Sequence, residues 1–415
     1  MTIKTMSLCA AGVGLAVYLP LAGAEGFFED SKASMELRNF YMSRDLRDGP
    51  GQSKRQEWGQ GFILRYESGY TPGVIGLGFD AIGMLGVKLD SGRGRSGTGL
   101  LPVQDDGGVP DDYSKAGGTL KMKVSDSELR VGTLIPRWPT LVSNNGRLLP
   151  QTFDGAQLQV KTWKALELTG AKIQDTVYRD RSGSTGLALN NKNRRFSGPL
   201  DGGDFNMVGA TYHAGEATDL LVQYAVLEDV YTQRFYGLTD RRKGAWGSFT
   251  SDVRLFDTDD TGQARGGSFD NRALSLMGTY KLGSHSFGLG YQTMSGNSGF
   301  PYVEGTDPYL VNFVQLGDFA EKDERSWQAR YDLDLARVGL PGLTFMTRYL
   351  KGSDADVPRS AGEGERELDV EVQYVMQSGS FKGLSMRLRS ATYRSDFARG
   401  ADDVRVIVSY PLSLL

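Results

Sequence analysis

The chain has 415 residues, 55 of them Gly, with 47 Lys+Arg against 50 Asp+Glu, two His, one Cys and a formal net charge of −3. One Cys excludes a disulfide framework, and with two His it argues against a zinc site; no cofactor is expected. The balanced charge gives no reason to expect nucleic acid as a partner, and a mean hydropathy of −0.35 argues against a helical membrane bundle, whose spans each need about 20 apolar residues.

The first predicted element is a secretory signal. Residues 1–7 carry Lys4, residues 8–22 are apolar, and Ala22-Gly23-Ala24 offers a small-x-small cleavage site. We therefore expect residues 1–24 to be removed and residues 25–415 to form one domain. Cys9 falls inside the signal, so the mature chain has no cysteine.

Beyond Glu25 the pattern is alternation, the signature of strands with two unlike faces. In chain order it runs through Phe62, Leu64 and Tyr66, then Leu120, Met122 and Val124 against Lys121 and Lys123, then Leu158 and Val160. It continues through Leu220, Val222, Tyr224 and Val226, then Leu274, Leu276 and Tyr280, then Phe287, Leu289 and Tyr291. Toward the C terminus Trp327, Ala329, Tyr331 and Leu333 alternate with Gln328, Arg330 and Asp332, and Val370, Val372 and Tyr374 with Asp369, Glu371 and Gln373. Met386 and Leu388 flank Arg387, and Val404, Val406, Val408 and Tyr410 alternate with Arg405, Ile407 and Ser409. This gives roughly 17 or 18 segments of about ten residues. Short connections are expected at 164–165, 215–216, 283–284 and 379–380, and long ones over 91–111, 137–152, 180–202, 257–270, 296–308 and 352–365.

A soluble sandwich or propeller would also alternate. Here the polar faces are dense in charge on nearly every strand, and aromatics fall at strand ends: Phe40/Tyr41, Tyr66/Tyr70, Trp163, Tyr178, Tyr302 and Tyr410. Both features favour an all-β transmembrane antiparallel barrel of the outer membrane, in contact with its lipid.

Several strings sharpen this reading. They are Gly26-Phe27-Phe28-Glu29-Asp30-Ser31, Leu37-Arg38-Asn39-Phe40-Tyr41, Trp58-Gly59-Gln60-Gly61-Phe62 and Tyr66-Glu67-Ser68-Gly69. Further along come Gly97-Thr98-Gly99-Leu100-Leu101-Pro102-Val103, Arg147-Leu148-Leu149-Pro150-Gln151-Thr152, Ser326-Trp327-Gln328-Ala329-Arg330-Tyr331 and Tyr410-Pro411-Leu412-Ser413-Leu414-Leu415. Taken in order over the whole mature chain, they resemble the OprD family of substrate-specific outer-membrane porins. The resemblance implies an 18-stranded barrel with a third loop folded inward as a constriction, each barrel with its own pore. It also implies uptake of small carboxylate-bearing nutrients. A monomer and a weak homotrimer both remain open.

Passage of an organic anion needs rows of fixed positive charge, each site weak enough to release its guest. Arginine suits this task because its planar fork meets a carboxylate bidentately without losing charge. Parity alone points Arg38, Arg44, Lys121, Lys123, Arg130, Arg330, Arg348, Arg387, Arg389 and Arg405 inward. The resemblance places the family's basic ladder on Arg44, Arg55, Arg387, Arg389 and Arg405, a constriction arginine on Arg147, and Gln373 where some relatives have lysine. It also implies an acidic pocket at Asp307 and Asp318, lined by Tyr302. Aromatic or other organic acids are the favoured substrates, with basic amino acids or peptides as the alternative. An outer-membrane hydrolase is a weaker alternative: Lys172 and Pro308 fall where the family's proposed His and Ser would stand, and neither His213 nor His285 has a nucleophile motif nearby.

Overall fold

The computed structural model describes residues 26–415. The expected signal at 1–24, with Cys9, lies outside the described residues. Eighteen long strands follow one another: β1 Lys32–Leu46, β2 Lys54–Glu67, β3 Ile75–Asp90, β4 Asp112–Val124, β5 Ser127–Leu134, β6 Thr152–Trp163, β7 Leu166–Val177, β8 Phe205–Ala214 and β9 Thr218–Leu227, then β10 Tyr231–Gly244, β11 Gly247–Asp260, β12 Asp270–Leu282, β13 His285–Gly296, β14 Arg325–Asp334, β15 Leu343–Val357, β16 Ser360–Val375, β17 Ser385–Ser395 and β18 Ala401–Ser413. Each pairs antiparallel with the next, and β18 returns to β1 from Ser34↔Ser413 to Leu46↔Ala401. The sheet is thus closed, and every long strand has a partner on both sides.

The alternation sets the two faces. On β4, Tyr113, Lys115, Thr119 and Lys121 are buried inside while Leu120, Met122 and Val124 are exposed outside. On β18 the same holds for Asp403 and Arg405 against Val404 and Val406. In water that outer face would be a large apolar patch. In a bilayer it is the stabilised face, where a cation near the midplane costs about 2–4 kcal/mol.

Short turns gather at one end of the barrel, including 125–126, 164–165, 245–246 and 283–284, and the long loops 91–111, 135–151, 178–204 and 297–324 gather at the other. Four expected connections differ from those found, one of them the short turn expected at 379–380, which spans 376–384. Residues 352–365 are no long loop, because β15 and β16 extend past the apolar band to a tight turn at Pro358 and Arg359. The loop expected at 257–270 shrinks to 261–269, and the one expected to end at Pro308 continues to Glu324. Several aromatics assigned to a girdle face inward instead: Phe40, 2% exposed, packs beneath loop 135–151; Tyr302, 8% exposed, belongs to the inward loop 297–324; Tyr178 packs against Gly305 of that loop; and Tyr70 lies beside the inward Lys121. Trp163, Trp246, Trp327 and Tyr349 are among the aromatics that face out.

Two long loops fold into the lumen. In loop 135–151 a small hairpin pairs Arg137–Trp138 with Leu141–Val142, and Leu148 and Leu149 bury against Phe40, Ile63, Met84 and Leu101. Gly59 and Gly61 on β2 make room for it: a Cβ on Gly61 would lie 3.0 Å from the Leu148 carbonyl oxygen, and one on Gly59 2.8 Å from Leu148 Cδ2. Loop 297–324 packs Phe300, Leu310 and Ala320 on Phe235, Phe256 and Met294, and Val314 and Phe319 on Leu350. These apolar clusters are what hold the loops inside.

Candidate functional site: an arginine wall facing two inward loops

The strand register builds the wall. Reading across it, Arg330, Arg348, Asp369, Ala391, Asp403, Arg44 and Arg55 are successive cross-strand partners on β14 through β18, β1 and β2. One rung toward the short-turn end lie Glu371, Arg389 and Arg405; the next carries Gln373 and Arg387, and the one after it Arg38. Rungs two residues apart are separated by ~6.7 Å along a strand. Inward cations are therefore staggered over roughly 20 Å of the pore's length.

Most of these cations are already answered by a carboxylate. Arg44 Nε donates to Asp403 Oδ2 at 2.9 Å and Arg405 Nε to Asp403 Oδ1 at 2.7 Å. Arg348 Nε donates to Asp369 Oδ2 at 2.7 Å, and Arg389 forms an ion pair of 2.9 Å with Glu371. Asp403 and Asp369 are fully buried, so they hold the guanidiniums from behind. Loop 297–324 is tied to the same wall. Gln315 donates to Asp403 at 2.8 Å, the Gln315 carbonyl accepts from Arg405 at 3.1 Å, and the amides of Leu316 and Gly317 donate to Glu367 at 2.9 and 2.6 Å.

Loop 135–151 supplies the opposite jaw. The Arg147 carbonyl accepts from Arg38 at 2.7 Å. The Arg147 side chain is held by the Thr98 and Gly146 carbonyls at 3.2 and 2.8 Å, and among the described residues it has no carboxylate partner. Burial, and then repulsion from Arg405, Arg179 and Arg44, pushes its guanidinium below the ordinary value. An arginine nevertheless stays charged at neutral pH.

Two cavities meet at this point. One of about 420 Å³ lies on the long-loop side, lined by Arg44, Arg147, Arg179, Lys192, Arg348, Arg389 and Arg405 against Glu304, Asp307 and Asp318, with Phe313, Val314 and Leu316 as its apolar part. The other, of about 310 Å³, is lined by Glu36, Arg38, Arg387 and Ser409 among others. Gly146, Arg147 and Arg389 line both, so these residues stand where the two cavities adjoin.

Of the residues expected from the sequence, Arg44, Arg147, Arg389, Arg405, Tyr302, Asp307 and Asp318 meet in the larger cavity, and Arg38 and Arg387 in the smaller. Arg55 neighbours Arg44 but donates to the Gly97 carbonyl at 3.0 Å and lines neither. Arg330 pairs with Asp332 at 2.7 Å on the same strand. Lys121 and Lys123 lie toward the short turns beside the Tyr70 ring, with Lys121 paired to Asp80 at 2.6 Å.

The two expected acids differ in kind. Asp318 receives a bidentate pair from Arg195 at 2.8 Å and a bond from Lys192 at 2.8 Å. Burial would raise its carboxyl, but those two charges outweigh it and hold the group below the usual carboxylate range. Among the described residues Asp307 has only an amide partner for its carboxylate, Asn144 Nδ2 at 2.6 Å, and burial raises its carboxyl to about 6 despite the nearby Arg179 and Arg147. The sequence reading missed Arg179, Lys192, Arg195 and the segment 313–316. All lie in long loops where no period marks an inward face. The two histidines stand apart from these cavities: His213 bonds Asp219 at 2.7 Å and His285 bonds Tyr331 at 2.8 Å.

Comparison with known proteins agrees with this architecture. Residues 25–414 match the family described as outer membrane porin, OprD family. The porin-like protein GalP of Pseudomonas putida is 38% identical over 421 residues, covering all of both chains. Among solved structures, OccK9 (OpdG) of Pseudomonas aeruginosa superposes with a TM-score of 0.91 at 42% identity, and OpdK of the same species, solved with vanillate, with 0.89 at 39%; each comparison covers 94% of this chain and 100% of the other. Porins are channels rather than enzymes, and the chain belongs to the OprD family of outer-membrane porins.

Proposed function

We propose that this channel takes up small carboxylate-bearing nutrients, with aromatic or other organic acids favoured, by passing the carboxylate along the arginine wall. The observation that carries the reading is the imbalance at the constriction. Arg147 and Arg179 reach the larger cavity with no carboxylate within ion-pair distance among the described residues, whereas Arg44, Arg348, Arg389 and Arg405 are each paired. An entering carboxylate would relieve the repulsion around Arg147. It would then find only partly neutralised guanidiniums, which bind weakly enough to release it.

The apolar part of the lining supports an organic acid with an apolar body. Phe313, Val314 and Leu316 line the larger cavity together with the arginines, a mixed lining that suits a hydrocarbon carrying one anionic end. OpdK was solved with vanillate, an aromatic carboxylate. Basic amino acids are less well served, because Asp318 is spent on Arg195 and Lys192 and the cavity keeps only Asp307 and Glu304 for an ammonium group. Residues 1–24 would act as the export signal, leaving 25–415 as the channel.

A liposome-swelling panel tests this directly. Benzoate-type acids should enter severalfold faster than arginine at equal concentration, and the reverse order would overturn the substrate assignment.

A further inference from the structure

On the outer wall near the long-loop end, three cations face one another with no protein anion between them. Lys351 on β15 is the cross-strand partner of Arg366 on β16, and Arg366 is the partner of Arg394 on β17. All three alternate away from the buried lumen residues Leu350, Glu365, Glu367 and Tyr393, so their side chains project from the barrel. Like charges directly opposite each other on neighbouring strands are destabilising. Arg394 is held by Asp402, at 2.9 Å, but Lys351 and Arg366 form no ion pair and no side-chain hydrogen bond among the described residues.

Another part of the wall shows the compensated arrangement. At comparable positions near the same end, Arg234, Asp257 and Arg272 are successive cross-strand partners on β10, β11 and β12, and each arginine lies within 3.5 Å of a carboxylate. Basic residues at this height therefore do not by themselves make a site. The row on β15–β17 differs because it lacks the acid in the middle.

We propose that Lys351, Arg366 and Arg394 form a binding site for the phosphate-bearing headgroup of an outer-leaflet glycolipid. A cleft of about 190 Å³ opens at this row, lined by the three cations with Asp48, Glu365, Asp396 and the small residues Gly352, Gly364 and Gly400. Of its three acids, Glu365 is buried and bonded to Tyr393, Asp396 accepts the Gly364 amide at 3.2 Å, and Asp48 sits exposed on the connection between β1 and β2, without an ion pair among the described residues. Asp402 also pairs with Arg47, which adds a further cation beside the row. A phosphate carries a charge of about −1.5 to −2 and three acceptor oxygens, enough to meet two unpaired cations at once.

The position on the wall selects a lipid over a soluble anion. One step below the cations come Tyr349 and Leu368, which face outward, with Trp327 packed on Tyr349 at 5.6 Å between ring centroids. Aromatic residues of this kind mark the boundary between acyl chains and headgroups. A phosphorylated glycolipid anchored there would place its chains on Tyr349 and Leu368 and its phosphate on Lys351 and Arg366.

The test uses the full-length folded channel, stripped of lipid in detergent and titrated in mixed micelles with lipid A, with dephosphorylated lipid A, and separately with inorganic phosphate. The proposal expects lipid A to bind, dephosphorylated lipid A to bind at least about tenfold more weakly, and Lys351→Ala/Arg366→Ala to lose about tenfold or more of the lipid A affinity. Arg272→Ala, taken from the compensated row, should bind as the parent does. Heat-modifiable gel mobility checks folding, and Lys351→Gln/Arg366→Gln replaces the alanine variant if that one does not fold. Unchanged affinity in the folded double variant would overturn the proposal. So would equal binding of dephosphorylated lipid A, or binding of inorganic phosphate as tight as that of lipid A. Single-channel conductance should be unaffected by either double variant, because both residues lie outside the pore.

Discussion

Replacing Asp403 by asparagine probes how the arginine wall is held. The Asp403 carboxylate is fully buried and accepts from Arg44 at 2.9 Å, Arg405 at 2.7 Å and Gln315 at 2.8 Å. Asparagine retains one acceptor oxygen but turns the other position into a donor, which faces the Arg44 or Arg405 Nε–H. Arg405 is 2% exposed, so its charge has little water to fall back on. Removing one partner of a buried ion pair typically costs about 3–5 kcal/mol. We expect Asp403→Asn to lower the unfolding free energy by about 3 kcal/mol or more, read from urea titration of the barrel in micelles followed by heat-modifiable mobility and tryptophan fluorescence. The control is its neighbour Asp402→Asn, which faces outward to Arg47 and Arg394 in partly exposed pairs and should cost less than about 1 kcal/mol. A loss at Asp403 no larger than that at Asp402 would show that the buried carboxylate does not organise the wall.

Three further outcomes follow from the same geometry. Asp307 is neutral below a pH of about 6 and anionic above it, so the larger cavity gains positive charge as pH falls; anion-over-cation selectivity in planar bilayers should rise between pH 7.5 and 5, and in Asp307→Asn it should be high and flat across that range. In Gly61→Val the new side chain meets the Leu148 carbonyl, which a Cβ alone would approach to 3.0 Å. Loop 135–151 must then lift from β2, raising single-channel conductance and weakening selectivity; an unchanged conductance would mean that this loop does not set the constriction. Arg387→Ala with Arg389→Ala should cut benzoate uptake severalfold while leaving the barrel folded, since these pairs are only partly buried.

The barrel was legible because lipid imposes a strict rule. Within the apolar band each strand must show hydrocarbon outward, so Leu120, Met122 and Val124, or Val404 and Val406, announce parity directly. Where strands rise past that band the rule lapses. Lys351 and Arg366 are outward yet charged, which is why residues 352–365 read as a loop although they are strand and tight turn. Parity also brought out the ladder arginines, since inward charge on a membrane strand leaves a trace in the sequence. Loop 297–324 left none. Its residues Leu310, Phe313, Val314 and Phe319 are apolar without period because they pack irregularly inside the barrel. Nothing in the sequence marks Arg195 as the partner that takes up Asp318. That pairing joins residues 123 apart through two loops and answers Asp318 with a protein cation.

The central claim is that a carboxylate rests against the under-neutralised Arg147 as it enters the arginine wall. The most direct measurement is the concentration-dependent reduction of single-channel current by benzoate, compared between the parent channel and Arg147→Ala. The account predicts block in the parent and at least about tenfold weaker block in the variant, equivalent to losing one charge-assisted contact of about 1.5–3 kcal/mol. Equal block in both channels would contradict it.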